Sequence, residues 1–546
     1  MATSLAKVAC RAQIGLHAPL VQVEVSLGAG LPAFSIVGLP ATVVKESKER
    51  VRSALTHSNF EFPAGHITVN LAPADVPKEG GRFDLPIALG ILLASGQILP
   101  ALDPMSMEFY GELGLGGELR PVRGLLVAAA NASVWGHEIV VPRGNAEDAR
   151  LASRRPVRVA DHLLEVCNHL TGNQALPDYV SARGAVPARS LVSTSPLDLR
   201  DVRGQHQAKR ALVIAAAGGH SLLMIGPPGS GKSMLAQRLP GLLPPLSAAE
   251  SVEVASIASV SATGFERSGY GRRPFRTPHH TASAPALVGG GARAIPGEVS
   301  LAHHGILFLD ELPEFSRATL EALREPLESG IVSVSRAAVR AQYPAAFQLV
   351  AAMNPCPCGY QGDPHSDCKC TPAQVQHYRG KISGPLFERI DMHVEVLRVV
   401  EDEFGDEVDR GESTSTAAGR VVRARQIQLA RQGVCNARLS DAQVERWCNP
   451  DRAGRNILER CMKTFGLSAR TRGRVLKLAR TIADLDEHEV IGAPQVSQAI
   501  LLRCLDRRRS EMVLDRPLLE SQAPENESPE APTGGVSGDG ELLAPR

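Results

Sequence analysis

The sequence predicts an α/β protein of several folding units: an α+β amino-terminal domain, a central phosphate-loop α/β domain and a carboxyl-terminal helical lid. Length is the first reason, since 546 residues exceed what one hydrophobic core organises. The second is His220 to Ser233, HSLLMIGPPGSGKS, where an apolar strand (Leu222 to Ile225) runs into a glycine-rich turn closed by a lysine and a serine. The third is GILFLDEL, an apolar strand (Ile306 to Leu309) with Asp310 and Glu311 at its carboxyl end, the end at which open α/β sheets bind ligands.

Each element follows from pattern. Val21, Val23, Val25 and Leu27 alternate with polar residues, which is a half-buried strand. Phe34 to Val37 and HITVNLAP read as further strands, with a helix over Ala41 to His57 between them that buries Val44, Val51 and Leu55. PKEGGRFDLPIALGILLASG is a loop entering an apolar helix, and GELGLGGELRPVRGLLVAAANA is a hairpin followed by a helix. This first unit spans 1–172. Residues 173–198, rich in Pro, Ser and Ala, read as a linker. The phosphate-loop domain spans 199–395, opening with a helix at Gln205 to Ala217 and continuing after the loop with a helix at Ser247 to Ile257. Residues 396–512 read as a helical lid, with helices at Arg420 to Gln432, Asp451 to Thr464, Ala469 to Asp484 and Pro494 to Leu505. Ser468 caps the third of these, which turns Val475, Leu478 and Ile482 to one face. Residues 513–546 hold seven acids and two bases, net −5, with little to bury, and read as a disordered acidic tail.

Composition excludes some functions. A net charge of +1 gives no global attraction to an acidic partner, so any nucleic-acid surface is local. Aromatics at 4% are too few for base stacking to be the main binding device. MATSLAKVACRAQIG lacks the apolar core of a signal peptide, and the longest apolar run, Leu85 to Ala94, is too short for a bilayer. A reducing cytoplasm and no membrane partner are the simplest expectation.

Gly226, Pro227, Pro228, Gly229, Ser230, Gly231, Lys232 and Ser233 match G-x-x-x-x-G-K-[ST] at every fixed position. In a strand–loop–helix setting the backbone N–H groups cradle phosphates, Lys232 reaches the β/γ-phosphates and the Ser233 hydroxyl ligates Mg²⁺. Asp310 then holds the Mg²⁺ through water, and Glu311 polarises the attacking water. The strand FQLVAAMN ends at Asn354, placed to orient that water or touch the γ-phosphate. ATP and Mg²⁺ are therefore the expected cofactors. VSVSRAAVRAQYP reads as a hairpin carrying Arg336 and Arg340. The His279–His280 pair could bind zinc or take part in catalysis, with loop packing favoured. In the loop 355–371, Cys356, Cys358, Cys368 and Cys370 form two C-x-C pairs that can close a tetrahedral structural zinc site; free thiols or labile disulfides are the alternative.

Two resemblances follow from these motifs. PKEGGRFDLPIALGILLASG and GELGLGGELRPVRGLL resemble the Lon-protease type of domain, whose active members carry a serine and a lysine at positions that here fall on Arg82 and Leu126. Neither can serve as nucleophile or base, so the likeness implies the fold without peptidase activity. A scaffold or DNA-facing role is the expectation, with Lys45, Lys48, Arg50, Arg52 and Arg82 as suggestive basic residues. The strand–loop, strand–Asp-Glu, strand–Asn order is that of an AAA+ module. With TPHHTASAPALVGGG, PGEVSLAHHGILFLDELPEF and AAMNPCPCGY, the chain from residue 3 to about 507 resembles the ComM/YifB group of magnesium-chelatase-like ATPases.

That resemblance implies a homo-oligomeric ring motor, a hexamer, acting on DNA with branch-migration helicase activity linked to natural transformation. Metal insertion into a tetrapyrrole is the alternative, against which stand the missing integrin-like module and the Lon-like front end. Arg389 in SGPLFERID resembles the family's arginine finger, directed at a neighbouring subunit's γ-phosphate, although Phe387–Glu388 stands where Leu-Asp is commoner. An intramolecular salt bridge, for instance with Asp391, is the other reading of that arginine. Arg470 resembles the lid arginine that reads nucleotide state, with Arg474 as the alternative. The hairpin Val332 to Tyr343 is the expected DNA contact.

Overall fold

The computed structural model describes residues 4–180, 197–291, 294–335, 340–398, 411–503 and 505. The acidic tail, most of the expected linker and Arg336 lie outside the described residues.

The first domain is built on a mixed seven-stranded sheet. Its strands are β1 (Ser4–Arg11), β2 (Leu20–Gly28), β3 (Ala33–Val37), β4 (His66–Ala72), β5 (Met107–Phe109), β6 (Glu138–Pro142) and β7 (Val157–Ala160), in the order β3-β4-β2-β1-β5-β6-β7. The alternation along β2 puts Val21, Val23 and Val25 in the core, as the period of two requires. Helices α1 (Thr42–His57), α2 (Asp84–Ala94) and α3 (Leu125–Trp135) accompany the sheet. Residues Asp84 to Leu92 of α2 are all buried, which is why that helix is apolar on every side. The domain runs past the expected boundary at 172. Leu176 joins its core, the Val159 N–H donates to the Pro177 carbonyl, and Tyr179 donates to that of Val157. Backbone pairing along β7 holds this segment, and a linker composition gives no sign of it.

The second domain holds a five-stranded sheet of β8 (Leu222–Ile225), β9 (Phe275–Arg276), β10 (Ile306–Leu309), β13 (Gln348–Met353) and β14 (Met392–Glu395), parallel throughout in the order β9-β10-β13-β8-β14. Numbered along the chain within this sheet, that is second-third-fourth-first-fifth. One face packs on α4 (His206–Gly218), α5 (Lys232–Leu242) and the lid. Between β10 and β13, β11 (Ile331–Ser335) and β12 (Arg340–Pro344) form the hairpin, burying Val332, Val334, Ala341 and Tyr343 and exposing Arg340. Helices α6 (Ala248–Ser259), α7 (Arg324–Ser329) and α8 (Pro372–Gly380) complete this domain, α6 packing on α3 of the first domain and α7 on β11.

The lid includes α9 (Thr414–Gln432), α10 (Arg452–Phe465), α11 (Ala469–Leu485) and α12 (Ala493–Leu501), with a shorter helix at Asp441–Trp447. Ser468 caps α11, and Val475, Leu478 and Ile482 are buried. The two domains pack directly. Leu16 and Val260 each touch both the amino-terminal core and the core on the far face of the parallel sheet. Arg267 also pairs with Glu147 and Asp148 at 2.7 and 2.8 Å.

Candidate active site

Every strand of the parallel sheet points its carboxyl end the same way, so the loops after β8, β10 and β13 converge. They line a cleft of about 390 Å³ bounded by Pro228 to Met234, Asp310, Glu311, Met353 and Asn354. Gly226 opens the loop because nothing larger fits: a Cβ there would lie 2.1 Å from the Val396 carbonyl oxygen. Lys232 begins α5 and is largely buried. Its Nζ donates to the carbonyls of Gly226 and Pro227 at 2.7 and 2.8 Å and to Asn354 Oδ1 at 3.3 Å. Burial lowers its pKa, and the nearby carboxylates of Asp310 and Glu311 oppose that. The Ser233 hydroxyl donates to Asp310 Oδ2 at 2.6 Å. These two oxygens are hard donors of the kind Mg²⁺ takes, and they already lie together. Glu311 sits in the left-handed region at φ 52° and holds its carboxylate in the open.

The structure thus gathers Pro228 to Ser233, Asp310, Glu311 and Asn354 at one cleft, with Gly226 and Pro227 entering it. It adds a residue that the sequence left to loop packing: His280 Nδ1 lies 3.4 Å from Glu311 Oε2, with the His279 ring against its own at 4.1 Å. Adjacency of two histidines is the only sequence signal, and it does not tell which carboxylate they face.

Arg389, Arg470 and Arg474 are not at this cleft in the same chain. They gather near Ser221 and Asp391, which precede β8 and β14, so about 13 Å of strand separates them from the loop. The ion pair of Arg389 is with Glu328 at 2.5 Å, not with Asp391, and its side chain is only 9% exposed. Arg470 pairs with the same Glu328 oxygen. Arg474 takes Asp391 instead and donates to the Arg389 carbonyl at 3.0 Å. Burial raises the Asp391 pKa, but Arg474 and His220 outweigh it and hold the carboxyl far below its ordinary value. Glu328 on α7 carried no sequence signal.

The four loop cysteines come together, with Sγ–Sγ separations of 3.3 Å (Cys356–Cys358), 3.7 Å (Cys356–Cys368) and 3.6 Å (Cys358–Cys368). A tetrahedral zinc with Zn–S of about 2.3 Å requires S–S edges of about 3.8 Å. The edges among Cys356, Cys358 and Cys368 are near that, and Cys370 Sγ lies within 4.8 Å of each of them. The Tyr360 backbone N–H draws the Cys358 thiol down to about 6. At Cys368 and Cys370 a backbone N–H bond is outweighed by desolvation and the neighbouring Cys358 and Cys356 sulfurs, which raise Cys368 and push Cys370 up to about 12, so Cys358 carries the thiolate of the set. Glu253, His303 and His304 also lie close together. There, however, the Ala346 N–H donates to His303 Nδ1 at 3.0 Å, which leaves the ring's proton on Nε2, facing Glu253 at 3.2 Å. That is a hydrogen-bonded pair, not a ligand set.

In the first domain, Arg82 is buried and donates to Gln13 Oε1 at 2.8 Å and the Arg123 carbonyl at 2.6 Å; Leu126 is buried on α3. Neither position offers a nucleophile or a base.

Comparison with known proteins places all three parts of the chain. The family described as magnesium chelatase, subunit ChlI, matches residues 198–404, and that described as subunit ChlI of Mg-chelatase matches 23–145. Magnesium chelatase, subunit ChlI C-terminal, matches 411–503. Uncharacterized protein YifB of Salmonella typhimurium is 48% identical over 505 residues, covering 92% of this chain and 98% of its own. Competence protein ComM of Haemophilus influenzae is 46% identical over 506 residues, with the same coverage, 92% and 98%. An uncharacterized protein of Mycobacterium tuberculosis is 41% identical over 503 residues, 91% of this chain and 98% of that one.

Proposed function

Because the chain belongs to the magnesium-chelatase-like ComM/YifB group, we propose that it is an AAA+ ATPase whose hydrolysis drives a homo-oligomeric ring, a hexamer, along DNA as a branch-migration helicase. The carrying observation is the convergence of Lys232, Ser233, Asp310, Glu311 and Asn354 at one cleft, with Ser233 and Asp310 in contact at 2.6 Å. The strand order of the parallel sheet and its three functional strand ends support the AAA+ reading.

ATP would lie with its phosphates against the backbone N–H groups of Gly229 to Ser233. Lys232 would exchange its carbonyl partners for phosphate oxygens, and Asn354 would then be freed to touch the γ-phosphate or the water. Glu311 would take the water's proton, oriented by His280. Mg²⁺, held by Ser233 and Asp310, would supply charge neutralisation on the phosphates. Arg389 and Arg470 would serve the cleft of a neighbouring chain, once Glu328 releases them. The cysteine set would hold a structural zinc with no open coordination position. The first domain, Lon-like without a dyad, would act as scaffold, and the exposed face of the hairpin with Arg340 would meet DNA. The name Competence protein, printed for the Haemophilus influenzae relative, supports a role in DNA uptake and recombination. Among the described residues no helix is long and apolar enough to cross a membrane, in keeping with a cytoplasmic site of action.

The test is ATP turnover with and without forked DNA, together with strand exchange on a four-way junction. DNA-stimulated turnover and junction movement, both lost in Glu311→Gln, are expected. Turnover indifferent to DNA with a static junction would remove the helicase reading. It would favour the second reading, a chelatase-type motor for metal insertion or protein remodelling, which the three chelatase family matches support.

A further inference from the structure

The cysteine loop lies against the nucleotide cleft. β13 ends at Met353, Asn354 accepts from Lys232, and Cys356, fully buried, follows two residues later. Gly359 is in the left-handed region at φ 91°, and a Cβ there would sit 2.6 and 2.8 Å from Cδ and Cγ of Pro228 and 3.9 Å from Asn354 Cγ. The backbone of the cysteine turn therefore rests directly on the phosphate loop and beside Asn354. Arg379 on α8 fastens the turn from behind: Nε and Nη2 donate to the Pro355 carbonyl at 3.1 and 3.0 Å, and Nη2 donates to Gln361 Oε1 at 3.0 Å.

The rest of the loop has no core to hold it there. None of residues 360–371 is buried. A segment of that length without apolar burial is ordered only if something else offsets its conformational entropy. Asp363 supplies a few contacts, its N–H on the Tyr360 carbonyl at 3.1 Å and its carboxylate 3.9 Å from Arg398. Two more converge on sulfur: the Cys358 N–H donates to Cys370 Sγ at 3.4 Å, and the Gln361 N–H donates to Cys356 Sγ at 3.3 Å. Such N–H donors stabilise thiolates, the form in which cysteine binds a thiophilic cation.

We propose that a zinc ion held by Cys356, Cys358, Cys368 and Cys370 is a brace for the nucleotide site, pressing Gly359 onto Pro228 and holding Asn354 at the edge of the cleft, so that metal loading and nucleotide affinity are coupled. This rests on reading the cleft as an ATP site. The ion performs no chemistry, because four thiolates close its shell. The cysteines, Gly359 and Arg379 are positioning residues, and the coupling is reciprocal, since each ligand stabilises the arrangement the other requires.

The experiment uses the full-length protein, as purified with zinc and after stripping with a chelator. Zinc content, the Kd of a fluorescent ATP analogue, and zinc affinity by competition with a chromogenic chelator, with and without ATP, are measured. One zinc per chain is expected, with an analogue Kd about tenfold weaker after stripping and a zinc affinity raised by the same factor when ATP is present. Gly359→Ala tests the contact without touching the ligands: it retains its zinc, yet binds the analogue about tenfold more weakly. Equal analogue affinity in loaded and stripped protein, or a Gly359→Ala variant that binds like wild type, overturns the coupling and leaves both sites standing. A wild-type protein without zinc overturns the brace itself. One that holds zinc but binds no ATP analogue overturns the nucleotide reading on which the inference rests.

Discussion

At the carboxyl ends of β8, β10 and β13 stand Lys232, Asp310, Glu311 and Asn354; before the amino ends of strands in the same sheet stand His220, Asp391, His303 and His304, with Arg389 close by. The residue types are alike, but their partners differ. At the carboxyl end the loops diverge into a cleft, Lys232 holds only carbonyls and an amide, and Glu311 is 57% exposed. At the amino end the charges have partners within the chain: Asp391 has Arg474, Glu253 accepts hydrogen bonds from the His303 and His304 rings, and Glu328 has Arg389 and Arg470. Charged side chains mark a site when their internal partners are weak enough to exchange for a ligand. Where the partner is a buried opposite charge, as Asp391 is for Arg474, the pair holds elements together, whereas Glu328, 44% exposed, can let Arg389 and Arg470 go.

Substitutions at the two ends should therefore fail differently. The largest effect is expected from Glu311→Gln and Lys232→Ala, which should lower phosphate release about 10²–10⁴-fold while leaving thermal unfolding unchanged. A variant that unfolds more readily instead would make Lys232 or Glu311 a structural residue. At the other end, Arg474→Met leaves Asp391 buried without its main counter-charge. It should cost about 3 kcal/mol in thermal or urea unfolding, with the nucleotide Kd of the chain unchanged.

The amino end should also respond to acid. Burial, aided by neighbouring His304 and opposed by Glu253, lowers the His303 pKa to about 4. The unfolded chain then binds the proton more readily, so stability is full above about pH 6.5 and falls as pH drops from there towards about 4, by about 2–3 kcal/mol in total. Unfolding midpoints across that range should show the slope, and His303→Gln should flatten it. The smallest effect is expected at His280, whose contact with Glu311 is half exposed. His280→Ala should lower kcat about two- to fivefold with KM unchanged, a change that a loop-packing role alone would not produce.

Much of this arrangement was legible in the sequence. The strands Leu222–Ile225 and Ile306–Leu309 match their apolar runs residue for residue, and Ser468 caps α11 as its position suggested. The glycine-rich turn and the Asp-Glu strand end are local patterns, so the residues of the cleft could be named in advance. The partners of Arg389, Arg470 and His280 could not, because Glu328 and Glu311 reach them only through tertiary packing. β14 and β1 are short or only partly alternating, and the continuation of the first domain through Tyr179 depends on backbone pairing. The contact of Gly359 with Pro228 joins two loops that the sequence presents as separate motifs.

We propose that Arg389 and Arg470 of one chain complete the nucleotide cleft of a neighbour. This is tested most directly by mixing two inactive chains, Lys232→Ala and Arg389→Ala, and measuring ATP turnover. Each alone should be nearly inactive. The mixture should regain turnover, because an intact Lys232 in one chain then meets an intact Arg389 from the other. A mixture no more active than its components, or an Arg389→Ala chain that turns over ATP like wild type, would contradict it.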